Sequence, residues 1–110
     1  MWDVSNVTDM ECMFYYSIFN GDISKWNVSN VTNMYAMFAG EENEEDVDID
    51  YTEFDGDLSN WDVSNVTDMS YMFSYSKFDS DISMWNINTK CDTDGMFDNC
   101  SIREEYKPKI

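Results

Sequence analysis

Apolar positions recur along the chain at a fixed interval. Trp2 and Trp26 are 24 residues apart, as are Trp61 and Trp85, while Trp26 and Trp61 are separated by 35, which is 24 plus eleven extra letters. A period in the twenties marks units too small to bury an apolar face alone, which gain a core by stacking on their neighbours. Two spacings alternate inside each unit. Ile23, Trp26 and Val28 lie at offsets 0, 3 and 5, as do Leu58, Trp61 and Val63, and Ile82, Trp85 and Ile87. This is the spacing of a leucine-rich repeat, and its last two positions alternate as in a strand. Val7, Met10, Met13 and Phe14 follow at steps of 3, 3 and 1, matched by Val31, Met34, Met37 and Phe38 and by Val66, Met69, Met72 and Phe73. That stripe predicts a helix of about two turns, N-capped by Thr8, Thr32 and Thr67 or by the Asn or Ser just before them.

The expected fold is an α/β solenoid. It would be a leucine-rich-repeat-like, right-handed coil of about four 24-residue repeats, with parallel strands on the concave side and short helices on the convex side. The repeats run 1–25, 26–60, 61–84 and 85–102, with an insertion at 41–51 and a C-terminal cap or tail at 103–110. Methionine and aromatic residues fill the interior where other repeats use leucine. The last unit keeps Trp85, Ile87, Met96 and Phe97 but puts Lys90 and Thr93 where helix apolars stood. Met1 and Trp2 enter in mid-strand, so either further repeats precede the first unit or it offers an open edge to another copy.

Polar positions are patterned too. Asn6, Asn30 and Asn65 fall where the strand ends, so their amides are expected to satisfy backbone groups of the turn and of the next repeat. If the strands form one concave sheet, alternation sends a set of short polar residues outward. The candidate binding residues are Asp3, Ser5, Lys25, Asn27, Ser29, Asn60, Asp62, Ser64, Asn86 and Asn88. Compact acceptors lose little side-chain entropy when they bind, which suits an extended peptide, a glycan or a basic protein face.

Charge narrows the partners. Twenty-three acids against six bases give a formal charge of -17. That surface repels phosphates and anionic lipid heads, so neither nucleic acid nor membrane insertion is expected. Seven of the acids lie in "EENEEDVDIDY" at 41–51. Asp46, Asp48 and Asp50 alternate like a calcium loop, but Tyr51 stands where glycine should be, and Asp57, the fourth candidate ligand, stands where a bidentate glutamate is expected. Calcium is the one cofactor the pattern suggests, as an alternative to none. There is no histidine, and no acid pair stands out from the repeats, so no enzyme is expected. Cys12, Cys91 and Cys100 allow either a Cys91–Cys100 bridge or three free thiols.

The motif W-[DN]-V-S-N-V-T-[DN]-M-x-x-M-F, found at residues 2–14, 26–38 and 61–73, resembles the repeat of BspA-like leucine-rich-repeat surface proteins. That repeat occurs in Mycoplasma and other bacteria, in some protists and in large DNA viruses. The resemblance implies a non-catalytic module for adhesion or protein interaction, exposed at a cell surface or outside the cell, with a protein or glycan partner. For a viral member it implies the virion or the host cytoplasm instead. Two further functions stay open from the residues: self-assembly as a homo-oligomer through the open N-terminal edge, and calcium-dependent binding through the insertion.

Overall fold

The computed structural model describes residues 3–40 and 52–109. It overturns the expected α/β solenoid. Among the described residues the only helical element is a single 3-10 turn, Glu104–Tyr106. Strand pairing among the described residues is confined to isolated parallel bridges, Asp9 to Asn33 to Asp68 to Asp92 and Thr52 to Ser76, with no sheet. Among the described residues neither the concave strands nor the convex helices are present.

Tandem turns replace the helices. In the first repeat the Met13 N–H donates to Met10 O and the Tyr15 N–H to Cys12 O, both bonds to the third residue back. The amides between them leave the repeat altogether: those of Met10, Cys12, Phe14 and Tyr16 donate to the carbonyls of Asn33, Tyr35, Met37 and Ala39 at 2.8 to 2.9 Å. The next two steps repeat this, from Met34, Ala36, Phe38 and Gly40 to Asp68, Ser70, Met72 and Ser74, then from Met69, Tyr71, Phe73 and Tyr75 to Asp92, Asp94, Met96 and Asp98. A left-handed residue makes the alternation possible. Cys12, Ala36, Tyr71 and Gly95 have φ of 56°, 50°, 57° and 64° at the third position of the first turn, the position a type II turn needs positive. A helix could not bond this way, because it spends every interior amide on its own chain. The Met-x-x-Met spacing belongs to both structures, and bonding to the next repeat selects the turns.

Turns also replace the strands. Trp61 N–H donates to Leu58 O and Val66 N–H to Val63 O, so the chain bends on either side of the tryptophan. Side chains here do what a ladder would have done. The Trp61 indole donates to Ile23 O at 3.0 Å and the Trp85 indole to Leu58 O at 2.8 Å. Asn30 and Asn65 donate through Nδ2 to the carbonyls of Ser5 and Ser29 in the preceding repeat. Asn20, Asp55 and Asp79 each accept, through Oδ1, the backbone N–H of the residue one repeat on, and Arg103 ends that series with an ion pair to Asp79.

The core is a grid of rings. Phe14, Phe38, Phe73 and Phe97 stack at centroid separations of 5.5, 5.5 and 5.8 Å. Phe19, Phe54 and Phe78 form a second column at 6.3 Å spacing, and each touches the first column within 4.3 to 4.7 Å. Each such pair adds about 0.5–1.5 kcal/mol beyond its buried area. Met34, Met37, Met69 and Met72 are fully enclosed beside them. Among the described residues no buried side-chain polar atom lacks a partner.

Candidate functional site

The residues expected to bind ligand sit at turns and not on a sheet face. Asp3, Asn27 and Asp62 are exposed, but each is engaged locally. The Oδ1 atom of each accepts both the backbone N–H and the hydroxyl of the residue two on, which is Ser5, Ser29 or Ser64, at 2.6 to 3.1 Å. These are Asx turns, in which a short polar side chain copies a backbone turn. The serine bonds hold the Asp3 and Asp62 carboxyls below the usual carboxylate range. Asn88 accepts in the same way from the Lys90 N–H. Lys25, Asn60 and Asn86 are exposed.

Of the four candidate calcium ligands, Asp46, Asp48 and Asp50 lie outside the described residues. Asp57 is described, and its Oδ1 accepts the Ser59 amide and hydroxyl at 2.9 and 2.7 Å. No cluster of three or more His, Cys, Asp or Glu side chains suited to a metal occurs among the described residues. The three cysteines are free thiols. Burial pushes the Cys100 thiol up to about 11, so it stays protonated at neutral pH.

A different feature stands on the turn side of the stack. An open trough of about 420 Å³ runs from Tyr15 in the first repeat to Asp98 and Asn99 in the fourth. Sequence differences among the repeats create it. Where the first repeat reads "CMFYY" and the third "YMFSY", the second reads "AMFAG". The small residues Ala36, Ala39 and Gly40 are buried and make the floor. Tyr15, Tyr35, Tyr71 and Tyr75 stand around them, with Ser74, Asp98 and Asn99 completing the lining. Tyr71 is 41% exposed and Tyr15 39%, so large rings rise where the floor is lowest.

The Tyr71 ring is braced on both sides. Tyr35 meets it edge-on, with centroids 6.0 Å apart and planes at 77°. On the other side it lies across Gly95, where an added Cβ would come within 2.5 Å of the ring. Real Cβ atoms do not approach so closely, so glycine in the fourth repeat is what lets the third repeat's tyrosine lie down. Sequence reasoning assigned these tyrosines no role, because the helical stripe it followed ran through the methionines and phenylalanines. The legible signal was the contrast of "AMFAG" with its two neighbours.

Comparison with known proteins adds a family. The model for a Mycoplasma protein of unknown function, DUF285, matches residues 1–107. The chain belongs to that family. The DUF285 match spans all four repeats and the segment after them through Lys107. No curated protein and no solved structure matches the chain. In this DUF285 chain no described helix is long and apolar enough to cross a membrane.

Proposed function

We propose that the chain is a non-catalytic binding module whose ligand surface is the tyrosine-lined trough. The observation that carries this reading is the trough itself, large rings around a floor of small buried residues that only the second repeat supplies. Ligand sites are typically concave, largely apolar, and edged by a few polar groups. The Asx columns fit less well, since the Oδ1 atoms of Asp3, Asn27 and Asp62 are already occupied. The motif shared with BspA-like surface repeats supports a partner met at a cell surface or outside the cell, either a protein or a glycan.

The test uses Ala39→Tyr, which fills the trough with the side chain the first repeat carries at the equivalent Tyr15. The intact chain and the variant are compared on arrays of defined peptides and oligosaccharides, beside a double variant, Asn27→Ala with Asp62→Ala. Signals that the intact chain gives should vanish with Ala39→Tyr and persist in the double variant. The reverse pattern would return the site to the Asx columns.

End-to-end self-assembly is favoured by a separate observation. Met13 is 39% exposed while its equivalents Met37 and Met72 are fully buried, and Phe14, Phe19 and Trp26 are only partly covered. Sedimentation across a concentration range, repeated with Met13→Lys, tests it. Assembly that the lysine abolishes supports this reading, and a monomer at every concentration ends it.

A further inference from the structure

We propose that the trough selects a cationic side chain, and that its ligand is an extended basic peptide segment whose arginine or lysine lies against the tyrosine rings. This rests on the trough being the binding surface and names what it takes.

Three observations support it. Four tyrosines line one open depression, and tyrosine faces attract guanidinium and ammonium groups through the ring quadrupole. The charged residue among the lining is an acid, Asp98, which is exposed at the far end. Among the described residues no lysine or arginine contributes to the lining. Several bases are instead committed elsewhere: Lys77 to Glu53, Arg103 to Asp79 and Lys107 to Glu104. The net charge of -17 adds a long-range attraction for such a partner and repels an acidic one.

Shape agrees with an extended chain. The lining draws on all four repeats, whose core rings are spaced 5.5, 5.5 and 5.8 Å apart. An extended peptide advances about 3.3 Å per residue, so about five residues cover that distance. Alternate side chains of such a peptide point the same way, so a basic residue at every second position would face the tyrosines.

The experiment titrates the isotope-labelled 110-residue chain with three probes, followed by amide chemical shifts. They are an acetylated Gly-Arg-Gly-Arg-Gly peptide, the same peptide with citrulline for arginine, and maltopentaose. Citrulline keeps the shape of arginine but carries no charge, a urea oxygen standing in place of one NH2. The arginine peptide should shift the amides of Tyr35, Tyr71 and Asn99, and the citrulline peptide should not. Tyr71→Leu, which leaves the protein's charge unchanged, should weaken binding roughly five-fold, as expected for loss of one exposed ring–cation contact. Asp98→Asn should weaken it less, and added salt should weaken it further.

Equal binding of the citrulline peptide at the trough overturns the cation selectivity but leaves the trough as a binding surface. So does maltopentaose shifting the same amides in place of the arginine peptide. Arginine binding that ignores Tyr71→Leu means diffuse attraction to an acidic surface and overturns the proposal. If no probe moves the trough amides, both the cation selectivity and the binding-surface reading fall. Should Tyr71→Leu not fold, Tyr35→Leu serves with the same readout.

Discussion

The two sides of each repeat hold their neighbours by different means. On the turn side, four backbone amides per step bond to backbone carbonyls of the next repeat. On the tryptophan side, named side chains make the connections: the indole of Trp61 and the amide of Asn65. Repetition of letters follows from this. W-[DN]-V-S-N-V-T is nearly identical in three repeats because its side chains carry the register. Other positions on the turn side differ freely, such as Tyr35 against Ser70 and Ala36 against Tyr71, because backbone hydrogen bonds carry the register there. A trough can be shaped on that side without loosening the stack.

Removing what both sides share should have the largest effect. Phe38 touches Phe14, Phe54, Phe73 and Trp61 and is fully buried. Phe38→Ala should cost about 3–5 kcal/mol, read from urea denaturation. A loss below about 1 kcal/mol would mean that the ring grid is not the main source of stability.

The tryptophan side should come next. Trp61→Phe keeps an aromatic ring but takes away the donor to Ile23 O. It should destabilise by about 0.5–1.5 kcal/mol, the net value of one hydrogen bond, because Ile23 O keeps the Trp26 N–H as a partner. An unchanged denaturation midpoint would show that the indole bond does not hold the register.

Acid should affect the same side more weakly. Serine hydroxyl and amide groups hold the carboxyls of Asp3, Asp22, Asp57, Asp62 and Asp81 below the ordinary 3.8. Their folded pKa values are depressed, so the stabilisation is present above 3.8 and is lost as pH falls through the lower folded values. The melting temperature should drop on acidification through that range. A variant carrying Ser59→Ala and Ser64→Ala should show a shallower drop, since it removes two of the serines responsible. Parallel curves for the two proteins would break the link between the Asx turns and stability.

Variation on the turn side should have the smallest effect. Tyr35→Ser installs the residue that the third repeat carries at Ser70, and leaves in place the backbone hydrogen bond that its carbonyl accepts from the Cys12 N–H. It should change stability by no more than about 0.5 kcal/mol in the same denaturation assay. A larger loss would mean that the trough walls also support the fold.

Part of this was readable from the residues. The 24-residue period and the identity of the interior rings follow from spacing alone, and Phe14, Phe38 and Phe73 do lie one against another. The secondary structure did not follow. Val7, Met10 and Met13 are spaced by threes, which a short helix tolerates but tandem turns produce directly. Asn, Asp, Ser, Thr and Val between them are poor helix formers, and they marked the alternative. The tyrosine trough was hidden for the same reason, since its lining positions make sense only once the turns are known.

The sequence by itself determined the length of the repeat, which residues go inside, and where acids accumulate, because apolar spacing and charge are properties of the chain alone. The tertiary structure decided where each amide finds its acceptor. A run of eight residues cannot fix this locally, because bonds to the third residue back and bonds to the next repeat compete. Only the arrival of that repeat, with its carbonyls 2.7 to 3.0 Å away, favours turns over helix and brings the tyrosines of separate repeats around one floor.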